Sequence, residues 1–236
     1  MADYSSWLQR AEAFVRSTSN LPGQSGINIA IEPPLGPQEV DGLHQVLPHG
    51  LPPLLRDFYS TASAQVELHY SWRPTGGHLE RLREVFRYEY NVYGGVTFCA
   101  ASAMVREQNA LFDWADVFFE QQGAGPAAAA MLKECVPLIP IRNGDYVVEH
   151  MARSPTQPAI LYVTHECDWG AESPFIPLAR DAAEFMAKWE QLCYIGPEIW
   201  MLSPFLNASS TNLLDTKSQV ARDWRSFLGT FSLAVP

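Results

Sequence analysis

The stretch 136–189 constrains the fold of this chain most strongly. It begins with apolar, strand-like runs on either side of the dipeptide Asn143-Gly144, and a third such run follows. Asn-Gly between two strands is typical of a type I′ hairpin, because both central residues of that turn need positive φ. After an acidic segment, Asp181 and Glu184 have the spacing of a helix capping box. The order predicts an antiparallel sheet that leads into a capped helix.

Hydrophobic periodicity predicts further helices and strands outside this stretch. Apolar residues at helical spacing indicate an amphipathic helix near the N-terminus and another one over 220–228. The run 65–72 alternates apolar and polar residues, which is typical of a half-buried strand. We therefore expect an α+β fold, with a single mixed, mainly antiparallel twisted sheet flanked by helices and extra N- and C-terminal helices. The segment 73–90 favours a helix, although its last tyrosines could instead begin a strand.

Length and composition predict one globular domain. The chain has 236 residues, of which 47% are hydrophobic and 18% charged, so it can bury a sizeable core. The apolar patterns begin early and end late, and no long polar linker separates them. We expect residues 1–236 to form a single domain, with a core of about 30–195 and helical extensions at both ends.

The charge balance argues against nucleic-acid and membrane partners. The chain has 26 acidic and 16 basic residues, a formal net charge of −10. A nucleic-acid binder needs a basic face to neutralise phosphates, so the balance argues against nucleic acid. It also argues against anionic membrane surfaces. An acidic surface can steer a basic protein toward it, but the charge taken alone favours simple solubility.

The cysteines and the N-terminus predict a cytoplasmic protein. The four cysteines are widely spaced and include no C-x-x-C pair, which favours reduced, packed thiols. The N-terminus has no basic region followed by an apolar run, and no segment approaches the ~18 consecutive apolar residues of a membrane span.

No cluster of reactive residues has a catalytic spacing. A metal or acid–base site could be drawn from six residues, but they match no zinc, EF-hand or H-E-x-x-H pattern; they are Asp145, Glu149, His150, His165, Glu166 and Asp168. Neither a G-x-S-x-G motif nor a phosphate-binding glycine loop occurs. We therefore predict no catalytic residue, no metal and no cofactor. Asp145 is expected to be a solvated residue beside the turn.

Residues 145–190 hold eight acids against three bases, with aromatic residues between them. Aromatic anchors inside a polar rim are typical of protein–protein hot spots. In the alternative interpretation, the aromatics (Tyr146, Tyr162, Trp169 and Phe175) form core and the acids are ordinary solvated positions. We predict a partner-binding surface that consists of Glu149, Glu166, Asp168, Trp169 and Glu172.

The order of the elements resembles the SUKH superfamily, which comprises bacterial immunity proteins and related fungal regulators of cell-wall synthesis. The resemblance covers roughly residues 30–195 and is carried by five pieces: Ile31–Leu35, Leu51–Tyr59, Gly95–Phe98 before a helix with Trp114, Leu138–Tyr146, and Phe185–Trp189. The segment 73–93 looks like an insertion, and the helices before Ser19 and after Pro197 lie outside the usual core.

This resemblance implies a non-enzymatic α+β domain that binds other proteins. Bacterial members mostly bind and neutralise a cognate toxin, often a nuclease or deaminase, and fungal relatives act as interaction hubs. We therefore expect an immunity protein whose partner is a basic toxin domain. The alternatives are a regulatory scaffold and a metal-dependent hydrolase, and the oligomeric state stays open.

Overall fold

The computed structural model describes residues 3–86, 91–120, 125–154, 157–164, 174–207 and 213–234. The chain forms two compact units, each of which contains one antiparallel sheet. The first unit consists of Met1–Glu32, Val66–Thr97 and Met186–Pro236, and the second of Pro33–Gln65 and Phe98–Phe185. The predicted α+β class is confirmed. The described strands form two sheets, however, where the sequence had suggested one.

Helices and strands follow each other along both units. The helices are α1 Tyr4–Ser17, α2 Pro37–Val46, α3 Pro53–Thr61, α4 Gly77–Val85, α5 Met104–Glu120, α6 Pro126–Lys133, α7 Ala182–Gln191, α8 Ile199–Leu202 and α9 Gln219–Leu228. The strands are β1 Gln24–Ile31, β2 Val66–Arg73, β3 Val92–Thr97, β4 Cys135–Pro140, β5 Tyr146–His150, β6 Ile160–Val163 and β7 Phe175–Ala179.

In the first unit, the sheet has the order β1-β2-β3 and packs against the terminal helices. The apolar face of β2 needs a cover, because its alternate residues are apolar and buried. The ring of Phe14 in α1 lies edge-on to the ring of Tyr70, with 5.6 Å between their centroids. The ring centroids of Phe227 in α9 and Trp72 are also 5.6 Å apart. The terminal helices, which were expected as extensions beyond residues 30–195, therefore contribute to the core of this unit.

In the second unit, the sheet has the order β4-β5-β6-β7, and α5 and α6 contribute to its main apolar cluster. Val148, Leu161 and Val163 point from the strands into this cluster. Strand β7 was not predicted, because Pro177 interrupts its sequence. Since β7 is an edge strand, the missing N–H of this proline does not break a central ladder.

The hairpin between β4 and β5 is confirmed, but its predicted type I′ turn is wrong. A longer loop, residues 141–145, joins the strands. Within it, the backbone N–H of Gly144 donates to the carbonyl of Ile141, and the N–H of Ile141 donates to the carbonyl of Asp145, both at 2.9 Å. Gly144 has φ of +98°, whereas Asn143 does not have positive φ. Because only one of the two residues is left-handed, the Asn-Gly pair cannot make the two-residue turn.

The helix cap predicted for α7 is confirmed. The carboxylate of Asp181 accepts a hydrogen bond from the backbone N–H of Glu184 at 2.7 Å. The carboxylate of Glu184 reaches back one residue further than a capping box requires and accepts from the backbone N–H of Arg180 at 2.7 Å. The cap thus fixes the start of the helix that follows β7.

Candidate protein-binding surface

One of the five predicted partner-binding residues, Glu149, lies within the described residues. The other four, Glu166, Asp168, Trp169 and Glu172, fall in the range 165–173, which lies outside them.

Glu149 lies in β5 between Val136 of β4 and Ile160 of β6. Its side chain is half-buried, and its Oε2 atom is shielded from solvent without a hydrogen-bond partner among the residues that the structure describes. Burial raises the pKa of this carboxyl to about 7, an effect that nearby Arg153 opposes and Asp181 reinforces. Glu149 is thus a largely desolvated carboxyl, unlike the solvated charge of an interface rim. Its predicted role in binding a partner stays a prediction.

Three of the four aromatic residues singled out in the acidic stretch 145–190 lie within the described residues, and they belong to the core. Tyr162 is fully buried, and Tyr146 and Phe175 pack against the apolar cluster of the second unit. Trp114 lies edge-on to Tyr146 at 5.5 Å and extends this packing. The core interpretation is therefore confirmed for these three aromatics, whereas Trp169 lies outside the described residues.

Asp145 is buried, so the prediction of a solvated residue is wrong. Its side chain accepts hydrogen bonds from the phenol of Tyr162 and from Nδ2 of Asn143, the latter at 2.7 Å. The amide oxygen of Asn143 in turn accepts from the backbone N–H of Asp145 at 3.0 Å. A buried carboxylate needs hydrogen-bond donors, and Tyr162 of β6 and Asn143 of the loop supply them here. The sequence shows these residue types but not their contact, which depends on how β5 pairs with β6.

The cysteines of the described chain are poor nucleophiles. Cys99, Cys135 and Cys193 are free and buried. Burial raises the pKa of each thiol to about 12, which disfavours the reactive thiolate.

The six residues from which a metal or acid–base site could be drawn are only partly described, since His165, Glu166 and Asp168 lie outside the described ranges. His150 is buried, and its Nε2 lies 3.0 Å from Oε2 of Glu134. Within the described ranges, no group of three or more His, Cys, Asp or Glu side chains is arranged to hold a metal ion. The expected absence of catalysis itself stays a prediction.

Strand β1 is an exposed feature that the sequence did not single out as a binding element. It lies at the edge of the first unit's sheet, and seven of its eight residues are exposed while Ile29 is partly buried. Ile27 and Ile31 are 40% and 38% exposed. Alternate residues of an antiparallel strand direct their N–H and C=O groups away from the neighbouring strand, and no described strand pairs with this side of β1. The absence of charge and proline in 24–31 was the sequence property that could have revealed it.

The comparisons with known proteins add no family assignment. The chain shows no significant match to a protein-family model, to a curated protein or to a solved structure. The resemblance to the SUKH superfamily therefore stays a prediction. None of the helices in the described ranges has the length and apolar character needed to cross a membrane.

Proposed function

We propose that the chain is a non-enzymatic protein-binding module of the immunity type, which neutralises a cognate bacterial toxin by binding to it. The observation that carries this proposal is how the acidic segment 165–173 is attached. Val163 of β6 pairs with Phe175 of β7, and the N–H of Thr164 donates to the carbonyl of Pro174 at 3.2 Å. Two paired strands thus hold both ends of this segment, an arrangement in which rigid scaffolds commonly present binding loops.

The charge of this segment indicates the chemistry of the partner. Glu166, Asp168 and Glu172 contribute three of the 26 acidic residues in a chain whose formal net charge is −10. Carboxylates grouped in this way would attract a basic protein over long distances and raise its association rate. Trp169 would supply the apolar anchor that a hot spot needs. A basic toxin domain, whose active site the segment would cover, fits this chemistry.

The proposed site of action is the cytoplasm, where a toxin would reach its intracellular target. The described thiols support this, because Cys99, Cys135 and Cys193 are all free. Reduced cysteines persist in that compartment.

The proposal is tested by capture from the native host. The tagged full chain and the triple variant Glu166→Lys, Asp168→Lys, Glu172→Lys are used in parallel, and the bound proteins are identified by mass spectrometry. We expect the wild type to retain a basic protein that the variant loses. A matched variant with Glu80, Glu84 and Asp223 changed to lysine carries the same charge change at positions of the first unit and should retain the protein.

A growth assay then distinguishes neutralisation from scaffolding. The captured protein is expressed in a bacterial host with and without the chain, and we expect growth to stop without it and to recover with it. A captured protein that does not inhibit growth would contradict the immunity function and favour the regulatory scaffold. Equal capture by the wild type and the triple variant would contradict the acidic surface.

A further inference from the structure

We propose that the open edge of β1 pairs with β1 of a second copy of this chain, which joins two three-stranded sheets into one continuous antiparallel sheet. This inference is independent of the toxin-binding proposal, because β1 and the acidic segment belong to different units.

The composition of β1 is that of a pairing edge. Residues 24–31 contain three isoleucines, no charged residue and no proline. Proteins that stay monomeric usually protect an edge strand with lysine, proline or a bulge, and β1 pairs with β2 in continuous register without a bulge. The strand therefore has none of these devices that would prevent edge-to-edge pairing.

The apolar face of the sheet continues onto β1 and then stops. Ile27, Ile29 and Ile31 lie on the same face as Leu68 and Tyr70, since Ile29 pairs with Leu68 and Ile27 with Tyr70. The residues of β2 on this face are buried, whereas the isoleucines of β1 are exposed or only partly buried. One more strand beside β1 would cover these side chains and extend the apolar layer.

A second copy of β1 fits this edge in one register. Antiparallel pairing centred on Asn28 places Ile27 opposite Ile29 of the second copy, and by twofold symmetry Ile29 opposite Ile27. Both pairs lie on the apolar face, where facing β-branched residues stabilise a sheet. The same register pairs residues 25–31 of both copies, so the match extends over nearly the whole strand.

The charges at the ends of the strand complement each other in this register. Gln24 of one copy comes opposite Glu32 of the other, and Arg73 lies beside Gln24 on the same face. Both Arg73 and Glu32 are exposed. The side chain of Glu32 from the second copy would enter an open groove of about 530 Å³, in which Arg73 is the charged residue among the described lining residues. The groove is lined by Gln24, Ser25, Gly26, Ser71, Arg73 and Asn91. Two symmetric ion pairs would thus fix the register.

The test measures the mass of the full chain by sedimentation equilibrium between about 1 and 100 μM. The wild type should approach twice the chain mass of 26.4 kDa. Ile27→Lys places a charge at the apolar centre of the pairing and should weaken the dimer at least about tenfold. Val46→Lys makes the same kind of change at a residue of α2 that is 63% exposed, and it should leave the dimer intact. Circular dichroism confirms that both variants are folded.

A charge exchange tests the register separately. Arg73→Glu and Glu32→Arg should each weaken the dimer, and the double variant should restore it, because the ion pairs reform with reversed polarity. A wild type that is monomeric over the whole range would overturn the proposal. A dimer that persists in Ile27→Lys would show that β1 is not the dimer interface. A double variant that dimerises no better than the single charge variants would contradict the proposed register.

Discussion

The phenol of Tyr162 donates a hydrogen bond to the carboxylate of Asp145, and both residues are buried in the second unit. The bond joins the loop after β4 to the third strand of the sheet, which the backbone pairing of β4 and β5 alone does not do. It therefore holds the hairpin in place on the strand that leads into the acidic segment. A buried carboxylate that loses a donor keeps its full desolvation cost, so this contact is sensitive to substitution.

Tyr162→Phe should destabilise the protein by about 1–3 kcal/mol, because it removes the hydroxyl and leaves the Asp145 carboxylate short of a donor. Urea denaturation followed by circular dichroism measures the change. Tyr146→Phe is the matched control, since the Tyr146 hydroxyl donates to the carboxylate of Glu107 at 3.1 Å in a half-buried position. Equal losses in both variants would contradict the importance of the buried contact.

Glu149→Gln should change how stability depends on pH. The folded protein raises the pKa of Glu149 from 4.5 to about 7, so the folded state binds this proton more tightly than the unfolded state does. The stability that this tighter proton binding contributes is at most about 3 kcal/mol. It is fully present below pH 4.5 and is lost as the pH rises through 7. Relative to Glu149→Gln, the wild type should therefore lose stability between pH 4.5 and 7.

The free energy of unfolding, measured in urea at a series of pH values, tests this expectation. Glu80→Gln makes the same chemical change at an exposed glutamate of α4 and should keep the pH profile of the wild type. Parallel profiles for the wild type and Glu149→Gln would show that Glu149 is not desolvated as described.

Gly95→Ala should be severely destabilising, by about 3 kcal/mol or more. Gly95 of β3 has φ of +130°, and a Cβ at this position would lie 1.9 Å from the carbonyl oxygen of Leu68 on β2. The two strands would have to separate to admit it. Gly77→Ala is the control, because no atom lies within 4 Å of the added Cβ at the start of α4. Thermal unfolding should show a large decrease for the first variant and little change for the second.

Local patterns in the sequence predicted several elements correctly, because each pattern reports on nearby residues. The alternation in 65–72 predicted β2 with the correct buried face, and the Asp181–Glu184 spacing predicted the cap of α7. These features depend on backbone geometry within a few residues.

Features that depend on long-range pairing could not be predicted in the same way. Strand β7 was missed because whether Pro177 is tolerated depends on its place at the sheet edge. The burial of Asp145 depends on Tyr162, seventeen residues away, reaching it from β6. The division into two sheets and the exposure of β1 follow from which strands pair, and a strand's own sequence does not state its neighbour.

The central claim, that the acidic segment binds a basic toxin, is tested most directly by association kinetics with the captured partner. The association rate constant is measured over a range of salt concentrations for the wild type and for the triple variant Glu166→Lys, Asp168→Lys, Glu172→Lys. We predict a slower association and a flatter salt dependence for the variant, because the carboxylates that steer the partner are gone. Unchanged rate constants and an unchanged salt dependence would contradict the claim.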